Sequence, residues 1–227
     1  MSGSRQAEIT DLLGRAGIAI YFSFVATLKA MSIANLMKAS PTPDNLPLLV
    51  LSNFASLMFV CLVVILALFR LKPSRTAQGI EPRITAMAAT YMMWPVVLLG
   101  GSPPSMGLVV AGSCLIAIGC VLSAYVLTWL GRSFSIMADA RRLVTGGPYA
   151  IVRHPLYVTE ALAVLGIALL NWSLIVVIAF VIHCCLQYRR MQNEEEVLRA
   201  AFPEYAAYAE RTPRWFPLPS SRRQQPA

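Results

Sequence analysis

Charged residues are scarce in this chain of 227 residues. Asp, Glu, Lys and Arg make up 13% of the sequence and hydrophobic residues 57%, whereas about a quarter of the residues of an ordinary soluble domain are charged. A soluble globule of this size could not bury so much apolar surface, and a disordered chain would be far more polar. The composition therefore excludes both classes and predicts a polytopic membrane protein.

Several functional patterns are also missing. The sequence contains no G-x-G-x-x-G motif, which excludes a cofactor site of the Rossmann type. Its five cysteines all lie inside apolar runs, without the C-x-x-C or Cys/His spacing of a zinc site, so we predict no metal. No internal repeat is visible, which argues against a transporter built from inverted halves.

Long apolar runs predict the architecture. Four runs are near or above the length of about 20 residues that crosses a bilayer, and two runs of about 16 residues read as a helical hairpin that turns at Asn171-Trp172. We therefore predict an all-α membrane helix bundle of about six transmembrane helices. The predicted spans are 14–38, 46–71, 84–100, 106–129, 155–170 and 172–188.

The basic residues predict the orientation of the bundle. The chain carries a net charge of +8, and its Lys and Arg residues lie in the segments between apolar runs, which argues against a nucleic-acid partner. Six spans would place nearly all of them on the side of both termini and leave only Lys38 opposite. We therefore expect both termini and the two long loops to be cytoplasmic. Residues 1–105 would form a three-helix membrane region, and residues 106–227 hold the polar residues that could perform chemistry.

Two polar segments in the second half flank the predicted hairpin. In the first, Gly146-Gly147-Pro148 indicates a turn and His154-Pro155 a helix start. Glu160 follows about one turn inside an apolar span, where an ionisable group is costly unless it has a partner or a function.

The second polar segment begins after the hairpin, at Arg189-Arg190, and includes Glu194-Glu195-Glu196. Its apolar residues recur at helical spacing, at Val197, Leu198, Ala201, Tyr205 and Tyr208. This pattern predicts a C-terminal amphipathic helix. The hairpin would bring the two segments together, lining a pocket where a polar cofactor meets an apolar substrate.

These segments together resemble the isoprenylcysteine carboxyl methyltransferase family, whose pattern the related phospholipid methyltransferases largely share. The resemblance covers roughly residues 110–217. The matching residues are Gly147-Pro148-Tyr149-x-x-x-Arg153-His154-Pro155-x-Tyr157, Glu194-Glu195-x-x-Leu198-x-x-x-Phe202 and Pro213-Arg214-x-x-Pro217. The order of both segments, rather than either one alone, is specific.

The resemblance implies an integral membrane enzyme that uses S-adenosylmethionine and acts on a lipid-like or prenylated acceptor among membrane lipids. By motif position, Arg190 would meet the acceptor. For a carboxylate acceptor no base is needed, whereas an amine acceptor needs one, and His154, Glu160 or Glu194 could serve. The cofactor contacts would fall on Arg141, Arg142, Leu143, Val144, Tyr149, Arg153, His154, Pro155, Leu156, Tyr157, Glu194 and Glu195.

The sequence leaves other functions open. The acceptor could be an isoprenylcysteine-type carboxylate, a phospholipid amine or another hydrophobic group. A sterol-reductase-like enzyme using NADPH has a comparable hairpin, and a non-catalytic membrane protein or transporter could keep the fold. His183, in the middle of a span, is expected to be a buried histidine bonded to a neighbouring helix rather than a site residue.

Overall fold

The computed structural model describes residues 2–93, 101 and 105–216 and is an all-α membrane helix bundle with almost no strand. A 3₁₀ turn at Gly131–Ser133 follows the fourth helix. The elements, in chain order, are α1 (Ser2–Lys38), α2 (Leu46–Phe69), β1 (Arg75–Thr76), α3 (Glu81–Tyr91), α4 (Met106–Leu130), β2 (Asp139–Ala140), α5 (Pro148–Ile151), α6 (Pro155–Leu170), α7 (Leu174–Ala201) and α8 (Tyr205–Arg211).

Four of the described helices are long and apolar enough to cross a membrane. They are the segments Asp11–Lys38, Leu46–Phe69, Met106–Ser133 and Leu174–Ala201. The predicted span 155–170 is a shorter apolar helix, and residues 94–100 of the predicted span 84–100 lie outside the described residues. The number of six spans and the cytoplasmic location of the termini therefore stay predictions.

Helix ends follow local chemistry. Proline occupies the first turn of α2, α3, α5 and α6, where its missing N–H costs nothing. The hydroxyls of Ser105 and Ser173 accept hydrogen bonds from the first turns of α4 and α7, as N-caps do. The chain turns between Leu170 and Leu174, where the sequence indicates.

The predicted end of the second hairpin helix is wrong. The helix α7 does not end near residue 188 but continues to Ala201, because the second polar segment keeps the helical periodicity of the span before it. The break comes only at Phe202-Pro203, before the short α8. The helices α6 and α7 contact each other across the predicted turn, and α6 packs more extensively against α4.

Glycines explain the close packing of α4 and α6. A Cβ atom added to Gly119 would lie 2.6 Å from the backbone nitrogen of Ala163, and one added to Gly166 would lie 2.5 Å from the carbonyl oxygen of Gly112. Larger residues at these positions would push the two helices apart, since backbone atoms cannot yield. The pairing holds Glu160, on α6, at a fixed position relative to α4.

The loops and short helical segments at one end of the bundle form a small ordered layer, which we call the loop end (residues 70–80, 131–154 and 193–216). Within it, β1 pairs with β2 in antiparallel register, with Arg75 opposite Ala140. An ion-pair chain joins it to α1, since Asp11 lies 2.7 Å from the guanidinium of Arg70. The loop after α4 is thereby fixed to the first two helices.

Candidate functional site

One cavity of about 370 Å³ runs from the loop end into the bundle, a volume within the usual range for small-molecule sites. Its outer part is lined by polar side chains and its inner part mostly by apolar ones. Twelve of the fourteen predicted site residues line it, namely Arg141, Arg142, Leu143, Val144, Tyr149, Arg153, His154, Leu156, Tyr157, Glu160, Arg190 and Glu194. The other two, Pro155 and Glu195, are not among its lining residues.

The Gly-Gly-Pro turn positions Tyr149. Gly147 has a φ of +60°, a conformation that favours glycine, and a Cβ at this position would clash with the indole of Trp129. The turn starts α5, which buries Tyr149 at the cavity. Burial raises the pKa of the Tyr149 phenol well above its usual value, so this group remains a hydrogen-bond donor.

A second tyrosine holds this turn in place. The Tyr208 hydroxyl, on α8, donates a 2.6 Å hydrogen bond to the backbone carbonyl of Tyr149. Burial raises the pKa of Tyr208 to about 12, which keeps the donor protonated at physiological pH. The short C-terminal helix is therefore part of the site's support.

Glu195 is the buried centre of an ion cluster, which we call the Glu195 clasp. Its carboxylate is fully buried and meets the Arg214 guanidinium through two hydrogen bonds of 2.9 and 2.8 Å, His154 Nε2 at 3.0 Å and Arg199 at 2.9 Å. Arg153 approaches to 3.6 Å. Glu195, predicted as a cofactor contact, does not line the cavity, and His154, Arg199 and Arg214 occupy both of its oxygens.

The clasp also fixes the C-terminal segment over the start of α6. The backbone N–H groups of Arg153 and His154 donate to the carbonyl oxygens of Pro213 and Arg214, at 2.9 and 3.2 Å. These bonds satisfy two donors at the beginning of a helix, where no intrahelical partner exists. The Pro213-Arg214 part of the sequence motif is thus explained by structure, while Pro217 lies outside the described residues.

Glu194, the neighbour of Glu195, faces the cavity instead. It accepts a 2.8 Å hydrogen bond from the Tyr157 hydroxyl. The Arg190 guanidinium lies over the Tyr157 ring, 5.2 Å from its centroid, and its Nη2 donates to the carbonyl of Ile136 at 2.7 Å. Arg190 and Glu194 therefore do not form the simple surface pair that a spacing of four residues allows.

Glu160 lies deeper on the same wall. Pro155 begins α6, so Glu160 is about 7.5 Å along the helix from its start. Among the described residues no hydrogen bond or ion pair reaches its carboxylate. The charged groups that interact with this carboxylate electrostatically are Arg190 and Glu194. An ionisable side chain without a direct partner inside a membrane helix is a candidate functional group.

Arg141 combines burial with unused donors. Its Nη2 meets Asp139 at 2.9 Å and Asp11 at 4.0 Å, while its Nε and Nη1 are buried without a hydrogen-bond partner in the structure described. Buried donors of this kind are normally satisfied. Two unused guanidinium donors beside a cavity are suited to a carboxylate ligand. Arg142 is exposed at the rim.

Some lining residues were not predicted as site residues. Lys29 and Phe22 of α1, Phe59 of α2 and Ala89 of α3 reach the cavity, so the first three helices supply part of its wall. His183 also lines it, although the sequence analysis assigns it a structural role. Its spacing of seven and eleven residues from Arg190 and Glu194 places it on the same helix face. This spacing is the sequence signal that could have identified His183 as a cavity residue.

Comparison with known proteins points to one family for part of the chain. The family model described as phospholipid methyltransferase matches residues 107–205. This range contains α4 to α7 and most of the polar residues of the cavity, and it leaves out α1 to α3.

Among the described residues, no group of three or more His, Cys, Asp or Glu side chains could hold a metal ion.

Two curated relatives resemble a shorter stretch. The cobalt-zinc-cadmium resistance protein CzcN of Cupriavidus metallidurans is 45% identical over 76 residues, which is 33% of this chain and 35% of the relative. The nickel-cobalt-cadmium resistance protein NccN of Alcaligenes xylosoxydans xylosoxydans is 37% identical over 76 residues, 33% of this chain and 36% of the relative. The chain thus spans about a third of the length of the curated relatives it matches, and neither name mentions a lipid.

Proposed function

We propose that this protein is an S-adenosylmethionine-dependent integral membrane methyltransferase that acts on a hydrophobic, lipid-like acceptor at the cytoplasmic face. The observation that carries the proposal is that the family match and the cavity fall on the same part of the chain. The segment matched by the phospholipid methyltransferase model is the one whose polar side chains line the mouth of the cavity. The inner cavity is mostly apolar and suits the body of a lipid-like acceptor.

The residues of the outer cavity fit the cofactor. Arg141, with two unused buried donors, would bind its carboxylate. Tyr149 would donate a hydrogen bond, and the free acceptor positions of Glu194 suit an amine or ribose hydroxyl. When bound, S-adenosylmethionine supplies a methyl group on a positively charged sulfur.

For a carboxylate acceptor, the protein's contribution is positioning. The Nη2 of Arg190 is anchored to Ile136, and the rest of its guanidinium is available to orient an anion. No base is required because the anion is already the nucleophile. Rate enhancement would come from alignment and from the exclusion of water around the reacting groups.

An amine acceptor is the second candidate, and Glu160 is the observation that favours it. Its carboxylate lines the same cavity as Arg190 and Glu194, and it could accept the proton that methylation of an amine releases. The reductase and transporter alternatives gain nothing from the comparisons. The metal-resistance names of the relatives describe those proteins and identify no acceptor.

Calorimetry on the detergent-purified protein tests the proposal. S-adenosylmethionine should bind the wild type, and NADPH should not. Arg190→Ala should keep cofactor affinity within about twofold but lose at least about a hundredfold in turnover, because one charged hydrogen-bonding group contributes roughly 3 kcal/mol in such a site. A folded wild type that binds no S-adenosylmethionine contradicts the proposal. Full turnover by Arg190→Ala contradicts only the role of the arginine.

A further inference from the structure

A polar stripe continues inward from the proposed reaction site along α7. His183, Gln187, Arg190 and Glu194 all line the cavity, and their spacing of four, three and four residues puts them on one face of the helix. His183 lies seven residues before Arg190, which corresponds to about 10 Å along the axis. The stripe therefore extends well into the apolar part of the cavity, beyond the groups needed for methyl transfer.

The two inner members of this stripe lack partners. His183 is only 4% exposed, and neither of its ring nitrogens makes a hydrogen bond that meets ordinary distance and angle criteria in the described structure, although the backbone of Ala89, on α3, interacts with the ring outside those criteria. The Oε1 atom of Gln187 is likewise buried and unbonded. Buried polar groups are nearly always hydrogen-bonded, so two unpaired ones on one cavity wall indicate a missing ligand group.

The chemistry of the two side chains defines that group. A neutral histidine presents one donor and one acceptor in either tautomer, and a glutamine oxygen presents an acceptor. A hydrocarbon chain satisfies none of these atoms. An ester or a carboxylate supplies only acceptors, which leaves the Gln187 oxygen unpaired. A hydroxyl or an amide, which both accepts and donates, can accept from the His183 N–H and donate to the Gln187 oxygen, so that each of the two side chains gains a partner.

We infer that His183 and Gln187 form a subsite for an uncharged hydroxyl or amide group of the methyl acceptor, about 10 Å deeper than its reacting group. The acceptor is then an amphiphile with a polar group in mid-chain, rather than one with plain acyl chains. This inference rests on the proposed function for the identity of the ligand as the methyl acceptor. It makes His183 a binding residue instead of a packing residue.

The test compares two probe acids that differ by one hydroxyl group, namely octadecanoic acid and its mid-chain hydroxy derivative. Calorimetry with the purified protein, in the presence of S-adenosylhomocysteine, should show about tenfold tighter binding of the hydroxy acid, the effect of one satisfied buried hydrogen bond. The difference should disappear in Gln187→Met and in His183→Leu. Cys184→Ala, an exposed position on the same helix, should retain it.

A second measurement separates this role from a structural one. Replacing an unpaired buried polar group by an apolar group of similar size is neutral or stabilising. The thermal unfolding midpoints of ligand-free Gln187→Met and His183→Leu should therefore not fall below that of the wild type, and their affinity for S-adenosylhomocysteine should be unchanged.

Three outcomes would overturn the inference. The wild type could bind the two acids equally or bind neither, which would mean that the subsite holds water only. Both variants could retain the preference for the hydroxy acid. Finally, both could unfold at lower temperature without a change in preference, the result expected of packing residues. Loss of S-adenosylmethionine binding with the hydroxyl preference intact would instead contradict the proposed function and leave the subsite standing.

Discussion

Two sides of one helix differ in how far their charges are satisfied. On one side of the loop end of α7, Glu195 is enclosed by His154, Arg199 and Arg214 at 2.8 to 3.0 Å. On the other side, Glu194 has a single phenolic hydrogen bond and faces a cavity. The two carboxylates are adjacent in sequence and chemically identical, so their surroundings alone separate their roles.

The difference shows how structural and functional charges can be distinguished here. A carboxylate whose oxygens are all used by protein donors contributes to the fold, since a ligand could bind it only by displacing those donors. A carboxylate with free acceptor positions at a cavity is available to a ligand. By this criterion we assign Glu160, Glu194 and Arg141 to the proposed site, and Glu195 to its support.

The largest expected effect comes from breaking the clasp. Glu195→Ala removes the anion that the cations of the clasp share. It should lower the free energy of unfolding by roughly 3 kcal/mol, the lower end of the usual effect of removing one partner of a buried pair, because the side chains of Arg199 and Arg214 are partly exposed. Thermal unfolding in detergent measures this loss. Glu196→Ala, at the exposed neighbouring position, is the control and should leave the midpoint nearly unchanged. Equal effects of the two substitutions would contradict the clasp as a stabilising element.

An intermediate effect is expected on the cavity side, and it should appear in binding rather than in stability. Glu194→Gln keeps the shape and the hydrogen bond from Tyr157 but removes the charge. We expect about tenfold weaker binding of S-adenosylmethionine, since a hydrogen bond to a charged acceptor contributes roughly 1–1.5 kcal/mol more than one to a neutral acceptor. Calorimetry measures the affinity, with Glu196→Gln as control. An unchanged affinity would remove Glu194 from the cofactor site.

Local features of this comparison could be predicted from sequence. The Gly147 turn and the helix start at His154-Pro155 depend on a few neighbouring residues with strong backbone preferences. Two short motifs specify five of the predicted residues that line the cavity, namely Tyr149, Arg153, His154, Tyr157 and Glu194. The long apolar runs likewise indicate helices, since a membrane leaves few other ways to satisfy backbone groups.

The distinction between Glu194 and Glu195 could not be predicted in this way. Consecutive helix residues point about 100° apart, but which of them faces a cavity depends on the packing of distant elements. Arg214 reaches Glu195 from the C-terminal segment, and Asp11 reaches Arg70 from α1. The continuation of α7 past residue 188 and the contribution of Lys29 to the cavity wall depend on such long-range contacts.

The smallest effect sharpens the comparison within a single short helix. Tyr205 and Tyr208 are both buried on α8, but the Tyr208 hydroxyl bonds the Tyr149 carbonyl, whereas the Tyr205 hydroxyl has no hydrogen-bond partner among the described residues. Tyr208→Phe should cost about 1 kcal/mol, while Tyr205→Phe should be neutral or slightly stabilising. In a protein of this size the difference corresponds to about 2–4 °C in the unfolding midpoint of the ligand-free protein. If both variants lost the same stability, ring packing alone would explain their effect, and hydrogen-bond saturation would no longer separate supporting residues from available ones.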